Sequence, residues 1–212
     1  MKTHSLGQSL EGIRHLLSHL QMEITQLESE YQDVVRALRC LSKENERDEL
    51  TEIYRRKAFL ERLQSWLGSG ETVGVLVLDI DFFKKMNDQH GHLTGDAVLR
   101  KLGKLLKTLP ERCLAGRWGG EEFVVAVKGS DVEVMAVAEW IRRKVERMRG
   151  LVVAGTSSES QLAAQVYWKI TVSIGAASTS FFKRDAQTLI QAADEALYEA
   201  KHRGRNQVRA AA

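Results

Sequence analysis

The feature that most constrains the fold of this sequence is a pair of adjacent glycines between two β-patterned runs. Gly119-Gly120 separates the short apolar run 113–115 from the strongly apolar run 123–127. Two glycines in such a setting are typical of a tight β-hairpin. Glu121 and Glu122 follow directly, where the backbone is least crowded and a ligand can come close. Taken alone, this pattern fits a solvent-exposed hairpin with an acidic tip equally well.

The composition favours a globular domain with an extension. The chain has 212 residues, of which 43% are hydrophobic and 28% are charged, so a sizeable core is expected and global disorder is not. A formal charge of +3 gives no reason to expect a nucleic-acid partner. The two cysteines, Cys40 and Cys113, form no disulfide or metal pattern, which fits a reducing cytoplasm. No apolar run approaches the roughly 20 residues that span a bilayer, so no membrane segment is expected, while an upstream sensor in a longer parent stays open.

Near the N-terminus, apolar residues recur with the 3-4 spacing of a coiled coil. The two series, each repeating every seven residues, are Leu10, Leu17, Ile24, Tyr31 and Leu38, and Ile13, Leu20, Leu27, Val34 and Leu41. Asn45 falls at the next a position, where a polar residue favours two parallel strands. A single amphipathic helix packed on its own domain is the alternative. His15 and His19 lie on the outer face of this helix and are expected to be solvated rather than to bind metal. We therefore expect residues 1–47 to form a dimerisation and signalling helix before a domain over residues 48–212.

Periodicity and turn residues predict the order of elements in that domain. They indicate a helix over 54–67 capped by Asp48 or Thr51, a buried strand over 73–80, a polar loop over 87–96, a helix over 97–109, the hairpin, a helix over 131–148, a loop over 150–164, a strand over 165–177, a helix over 185–202 and a short strand over 205–209. The order contains a β-α-β-β-α-β kernel. This predicts an α+β, ferredoxin-like fold with helices on one face of a mainly antiparallel sheet, preceded by a long coiled-coil helix.

The buried strand ends in two carboxylates, Asp79 and Asp81. A carboxylate in such a place is costly unless something compensates it. Asp81 could cap the helix that begins near Phe82, but Asp79 lies too far back for that role. In the ferredoxin-like layout the first strand neighbours the hairpin, so Asp79 is expected to approach Glu121.

Several motifs at set spacings carry a family resemblance. They are Gly119-Gly120-Glu121-Glu122-Phe123, Asp79-Ile80-Asp81-Phe82-Phe83-Lys84, Asn87-Asp88, Gly91-His92, Gly95-Asp96, Lys201 with Gly204-Arg205-Asn206, and Asp48-Glu49-Leu50-Thr51. Together they resemble the GGDEF family, the diguanylate cyclases, over about residues 48–208. The sequence departs from the family at Glu52, where glycine is usual, at Arg55, where asparagine is usual, and at His90, where an aromatic residue is common. The first two departures concern the linker turn and not the chemistry.

The resemblance implies an enzyme that joins two GTP molecules into cyclic di-GMP and releases two pyrophosphates, by two-metal nucleotidyl transfer across a homodimer of half-sites. It implies Mg²⁺, with Mn²⁺ as the alternative, held by Asp79, Glu121, Glu122 and the Ile80 carbonyl. Glu121 is also the implied acceptor of the 3′-hydroxyl proton. The implied substrate-binding residues are Phe82, Phe83, Lys84, Lys201 and Arg205 for the phosphates and Asn87 and Asp96 for guanine, with His92 either in the substrate loop or structural there.

Two other functions are compatible with parts of this sequence. The runner-up is a non-catalytic module that binds GTP or cyclic di-GMP and recruits a partner through its coiled coil. A purely structural coiled-coil scaffold is the third possibility, but it leaves most of the chain without a role.

Many family members carry an inhibitory Arg-x-x-Asp site that ends five residues before the glycine pair. Here that window reads Pro110-Glu111-Arg112-Cys113, so we expect no product inhibition there. The basic residues of the helix over 131–148 are most simply a solvated face: Arg142, Arg143, Lys144, Arg147 and Arg149. A second product site around Arg142, Arg143 and Arg147 is the alternative.

Overall fold

The computed structural model describes residues 12, 14, 17–35, 46–154 and 164–211, with the side chains of 152–154 and 164–166 left aside. The chain divides into two compact units, residues 1–45 and Glu46–Ala212. The functional division predicted at residue 48 stays a prediction. Within the described residues, no helix is both long enough and apolar enough to cross a lipid bilayer.

The first unit is helical throughout residues 17–35. Its apolar heptad residues are all exposed within the single chain, at 44–66% of their surface: Leu17, Leu20, Ile24, Leu27, Tyr31 and Val34. His19 lies on the outer face beside Glu23, at 3.5 Å, as expected of a solvated position. Heptad positions 10, 13, 38, 41 and 45, together with His15, lie outside the described residues.

The second unit opens with a tight turn rather than with a capped helix. The carboxylate of Asp48 accepts hydrogen bonds from the Thr51 amide at 2.9 Å and the Thr51 hydroxyl at 2.7 Å, so it closes this turn. The prediction that either residue caps the helix is wrong, because β1 (Tyr54–Arg55) comes first. Helix α1 (Arg56–Leu67) then begins after Arg55, which provides no side-chain cap. Glu52 has a φ of 60°, a conformation that glycine adopts at little cost, and this explains why glycine is usual there.

The remaining elements form one large and one small sheet with four more helices in the described residues. They are β2 Val73–Ile80, α2 Phe83–His90, α3 His92–Leu106, β3 Cys113–Gly119, β4 Glu122–Lys128, α4 Asp131–Glu146, β5 Arg149–Ala154, β6 Ala164–Lys169, β7 Val172–Ser178, α5 Ala186–His202 and β8 Val208–Ala210. The large sheet has the order β1-β3-β4-β2-β7-β8, and in the described part of the chain β5 pairs with β6 alone. Its central strands β3-β4-β2-β7 are antiparallel, which confirms the ferredoxin-like kernel.

Strand β2 is buried along its whole length because helices cover both faces of the sheet. Leu76, Leu78 and Ile80 pack in the core that α2, α3 and α4 cover. Val73, Val75 and Val77 pack in a second core under α1 and α5. None of these six β2 residues is more than 2% exposed. The kernel helices therefore share one face as predicted, while the helices before and after the kernel cover the other.

The polar loop predicted over residues 87–96 is instead helical except at Gly91. Helix α2 continues through His90, and α3 begins at His92 rather than at Ala97. Gly91 separates the two helices with a φ of 80°, in the left-handed region. These polar residues give no apolar periodicity, so the sequence offers little sign of the helical turns.

The single strand predicted over residues 165–177 is two strands in different sheets. It breaks at residues 170–171, between β6 and β7, and β5 falls in the segment predicted as a loop. The alternation of apolar residues continues across the break and hides it. At the break, the Thr171 carbonyl accepts a hydrogen bond from the Asp81 amide at 3.0 Å. The interruption thus depends on a contact 90 residues away in sequence.

Candidate active site

The centre of the candidate site is the carboxylate of Asp79 near the end of β2. Its side chain is 11% exposed, and its Oδ2 accepts a hydrogen bond from Lys201 Nζ at 2.8 Å. Burial raises the pKa of Asp79, Lys201 lowers it, and the charges of Glu121 and Glu122 raise it again, with a net increase. The predicted proximity of Asp79 to Glu121 is therefore present. A buried carboxylate in a negative field favours a cation beside it.

Glu121 lies in the turn between β3 and β4, and Glu122 pairs with Asp79 across the β2–β4 ladder. Arg117 holds this turn: its Nε and Nη2 donate to the Gly120 carbonyl at 3.1 and 2.8 Å. Its Nη1 also donates to both carboxylate oxygens of Asp48, at 3.0 and 3.1 Å. The sequence pattern does not identify Arg117 as part of the site, because its partner Asp48 is 69 residues away.

The oxygen donors at this point suit a hard divalent cation. Carboxylates are the ligands that Mg²⁺ prefers, and Asp79, Glu121 and Glu122 all contribute negative potential here. Among the described side chains, however, no three acidic, histidine or cysteine groups already converge on one point. The ligand set of these residues with the Ile80 carbonyl stays a prediction.

Next to the carboxylates, the N-terminus of α2 offers backbone donors. Its N-cap is Phe82, with a φ of 58°, and no side chain caps it. The prediction that Asp81 caps this helix is therefore wrong. The amides of Phe83 and Lys84, in the first turn, have no intrahelical acceptor and lie at the positive end of the helix dipole. A helix start in this state favours an anion such as phosphate.

Cationic side chains lie beside this helix start. The Arg205 guanidinium lies over the Phe82 ring, 4.4 Å from its centroid, and Phe82 itself is 61% exposed. Lys201, in the last turn of α5, is four residues before Arg205 and binds Asp79. Lys84 is exposed and makes no ion pair within the described part of the chain. The fold thus brings Phe82, Lys201 and Arg205 to the carboxylate end of the site, as the resemblance implies.

Asn87 on α2 and Asp96 on α3 form the other end of the candidate site. Asn87 Oδ1 is buried, and no described group donates a hydrogen bond to it. Gly95 makes room for this amide, since a Cβ at Gly95 would lie 2.0 Å from Asn87 Oδ1. Asp96 has only a long contact to Arg100, at 3.9 Å. An unpaired buried acceptor and an available carboxylate are chemically suited to a ligand with several N–H groups.

His92 takes no visible part in this arrangement. It is exposed in the first turn of α3, and its ring makes no hydrogen bond in the part of the chain that the structure describes. The two roles that the sequence left open for it therefore both stay open.

Two basic regions outside the site differ in their surroundings. Arg112, in the window of the family's inhibitory motif, forms an ion pair with Glu133 at the start of α4. The side chain of Arg142 is only 14% exposed and pairs with Glu139 and Glu146. The predicted solvated basic face is thus wrong for Arg142, although Arg143 is 64% exposed as expected.

Comparisons with known proteins agree with this geometry. Residues 45–207 match the family model described as "Diguanylate cyclase, GGDEF domain". Diguanylate cyclase A of Treponema denticola is 38% identical over 154 residues, which are 70% of this chain and 38% of that protein. Diguanylate cyclase VdcA of Vibrio cholerae is 32% identical over 201 residues, which are 93% of this chain and 56% of that protein. The chain therefore spans less than two thirds of these curated relatives.

A solved structure is similar over most of both chains. It is the coiled coil and GGDEF domain of DgcB from Caulobacter crescentus, in complex with c-di-GMP. The TM-score is 0.70 at 30% identity, and the match covers 91% of this chain and 99% of that one.

Proposed function

This chain belongs to the GGDEF family, and on that premise we propose that it is a diguanylate cyclase, which converts two GTP molecules into cyclic di-GMP and two pyrophosphates. The observation that carries the proposal is the buried carboxylate of Asp79, flanked by Glu121 and Glu122 and lying beside the uncapped start of α2. Together these groups supply a cation site and a phosphate site next to one another. The similarity to curated diguanylate cyclases favours this activity over a module that only binds nucleotide.

In the proposed reaction the 3′-hydroxyl oxygen of each GTP attacks the α-phosphorus of the other. The bond from that phosphorus to the pyrophosphate breaks, and the carboxylate of Glu121 accepts the hydroxyl proton. Lys201, Arg205 and the α2 amides neutralise the phosphates, so the work of the protein is alignment and charge stabilisation. The family is metal-dependent, and a bound Mg²⁺ or Mn²⁺, which Asp79, Glu121, Glu122 and the Ile80 carbonyl would hold, supplies further charge neutralisation.

We assign the choice of base to Asn87 and Asp96. Guanine presents its N1–H and N2–H donors together, and a carboxylate such as that of Asp96 accepts both. Adenine lacks these donors and would leave a charged acceptor unpaired, which costs about 1–3 kcal/mol. Asn87 Oδ1, buried and without a described donor, is a second acceptor for the base.

The proposed reaction needs two half-sites, because one domain holds one GTP. We propose that a second copy supplies the other half-site through a parallel coiled coil of the N-terminal helices. The exposed apolar stripe within residues 17–35 supports this, as does the coiled coil of the DgcB structure. We place the reaction in the cytoplasm, where GTP is made and used.

Incubation of the purified protein with GTP and Mg²⁺, followed by separation of the nucleotides, tests the proposal. We expect cyclic di-GMP, with two pyrophosphates released for each product molecule. GTP that binds but stays unchanged would favour the alternative of a non-catalytic, partner-recruiting module.

Replacement of the proposed proton acceptor gives a sharper test. We expect Glu121→Gln to keep the fold and to lower product formation by at least a hundredfold, since it removes a metal-binding charge and the base while nearly keeping the shape. Circular dichroism and initial rates are the measurements. Glu111→Gln, at an exposed carboxylate outside the site, is the matched control and should leave the rate unchanged. Activity of Glu121→Gln within a few-fold of the parent would exclude this role for Glu121.

A further inference from the structure

Asp81, two residues beyond Asp79, is a buried carboxylate that the proposed reaction does not use. Its residue is 6% exposed. Its Oδ1 accepts a hydrogen bond from the Ser173 hydroxyl at 2.7 Å, and its Oδ2 accepts from the Thr171 hydroxyl at 2.6 Å. Oδ2 also accepts from the backbone amide of Asn206 at 3.1 Å. Both oxygens thus accept hydrogen bonds from protein donors, and none of these three donors belongs to α2.

The third of these donors belongs to a strained turn. Arg205 and Asn206 have φ values of 61° and 45°, both in the left-handed region. For Arg205 this conformation costs on the order of 1 kcal/mol or more and persists only where its surroundings fix it, whereas asparagine adopts it more readily. The side chain of Asn206 is fixed by Arg142 Nη1 at 2.9 Å and Glu146 Oε1 at 2.8 Å. Its backbone amide is fixed by Asp81.

The turn contains Arg205, a proposed phosphate ligand, and brings it close to Phe82, the residue that follows Asp81. Arg205 lies over the ring of Phe82, which is itself left-handed with a φ of 58°. Asp81 therefore joins two strained segments, one at the start of α2 and one after α5, at the place where Arg205 meets Phe82. Because the contacts are charge-assisted and buried, they resist displacement better than contacts between neutral groups.

We propose that Asp81 is a positioning residue, which holds the turn at Arg205 and Asn206 so that the Arg205 guanidinium points at the phosphates of the bound nucleotide. This inference rests on the proposed function, since it takes Arg205 as a phosphate ligand. Asp81 touches neither nucleotide nor metal in this role. Its effect on binding passes entirely through Arg205.

A double-mutant cycle tests this dependence. The measurement is calorimetric binding of a non-hydrolysable GTP analogue with Mg²⁺ to the full chain. We expect Asp81→Ala and Arg205→Ala each to weaken binding about tenfold, and the double variant to bind within about twofold of Arg205→Ala alone. Effects of Asp81→Ala and Arg205→Ala that multiply would overturn the proposal, because Asp81 would then act by another route.

Three further variants keep the test decisive. Asp96→Ala, at the guanine end, is the matched control, and its effect should multiply with that of Asp81→Ala. Asp81→Asn keeps one oxygen that can accept from the Asn206 amide, so it should recover at least half of the lost binding free energy. It also replaces Asp81→Ala in the cycle if that variant fails to fold. Asn206→Gly keeps the amide donor and the positive φ, and should bind within about threefold of the parent.

Because the assay measures binding, it is independent of turnover. A parent chain that binds the analogue but makes no product would refute the proposed function while the cycle still reports on Asp81. A cycle with multiplying effects in an active parent would refute only the role of Asp81.

Discussion

Two aspartates that lie two residues apart at the end of β2 have very different surroundings. Among the described residues, three donors hold the Asp81 side chain, whereas the Asp79 side chain has one donor, Lys201, and two carboxylates nearby. Because the pKa of Asp79 is raised, its unfolded form loses a proton at lower pH than its folded form. The free energy of unfolding therefore falls as the pH rises from the ordinary pKa of 3.8 through the raised value. The ionised Asp79 carboxylate thus destabilises the fold, and a cation bound beside it would relieve this cost.

Also at the residue scale, position 95 requires glycine because the Asn87 side chain occupies the space that a Cβ would fill. We expect Gly95→Ala to raise the KM for GTP about tenfold, because the new methyl group would lie 2.0 Å from Asn87 Oδ1 and must displace that amide. Steady-state rates over a range of GTP concentrations measure this. Gly68→Ala, whose methyl group would make only ordinary contacts of 3.5 Å or more, is the control. A further loss when Gly95→Ala is added to Asn87→Ala would contradict the explanation.

The state of Arg112 leads to a prediction about feedback. Pro110 and Cys113 occupy the positions of the family's inhibitory Arg and Asp, and Arg112 pairs with Glu133. We therefore expect Arg112→Ala to leave both the initial rate and its response to added cyclic di-GMP unchanged. Rates with added product and calorimetric titration of cyclic di-GMP measure this. Arg143→Ala, on the exposed face of α4, shows whether product binds there instead. Inhibition that disappears with Arg112→Ala would show that the window is functional.

At the scale of elements, the opening turn of the domain is tied to the hairpin that carries Glu121. Asp48 accepts hydrogen bonds from Thr51 in the turn and from Arg117 at the end of β3, and Arg117 reaches on to the Gly120 carbonyl. The side chains of Asp48 and Arg117 are 21% and 18% exposed, so the pair is well shielded from solvent. The geometry of the hairpin tip thus depends on a residue outside the sheet.

This tie predicts a pH-dependent contribution to stability. Burial alone would raise the pKa of Asp48, but the hydrogen bonds from Thr51 and Arg117 outweigh it and lower the pKa below 3.8. The stabilisation is therefore present above about pH 4 and lost as the pH falls through the lowered value. We expect Asp48→Asn to cost about 1–3 kcal/mol at pH 7 and less at pH 3, which lies below the ordinary pKa of 3.8, by urea unfolding. Glu49→Gln, at a side chain that is 92% exposed, should change stability by less than about 0.5 kcal/mol. An equal loss at both pH values would contradict this account.

The elements that could be predicted from the sequence are those whose signals are local. Strand β2, the β3–β4 hairpin and α5 have strong apolar patterns and clear turn or cap residues, and Asp185 does cap α5. The break between β6 and β7 could not be predicted, because it depends on Asp81 binding to Thr171. For the same reason the sequence located Asp79 near Glu121 but could not find the roles of Arg117 or Asn206, whose partners are distant in the chain.

At the scale of the molecule, the N-terminal helix carries an exposed apolar stripe over residues 17–35. We expect deletion of residues 1–44 to leave a folded domain whose rate per protomer falls sharply at low protein concentration, because pairing of half-sites is then bimolecular. Rates from nanomolar to micromolar protein, beside sedimentation velocity, measure this.

A full-length control separates pairing from chain length. Ile24→Lys with Leu27→Lys interrupts the stripe without shortening the protein, and should reproduce the effect of the deletion. A rate in the deleted protein that is unchanged and independent of concentration would show that the helix is not needed for pairing.

The two edge strands of the large sheet are very short, which limits association of one domain with another through their sheet edges. Strand β1 has two residues and β8 has three, and each pairs in parallel with its neighbour. A long open edge is a template on which a foreign strand adds by backbone hydrogen bonds, which is a common start of aggregation. A pair of tethered copies keeps each domain at a high local concentration of the other. In the dimer that we propose, edges this short leave little backbone for one sheet to extend into the next, so two copies that meet are free to separate again.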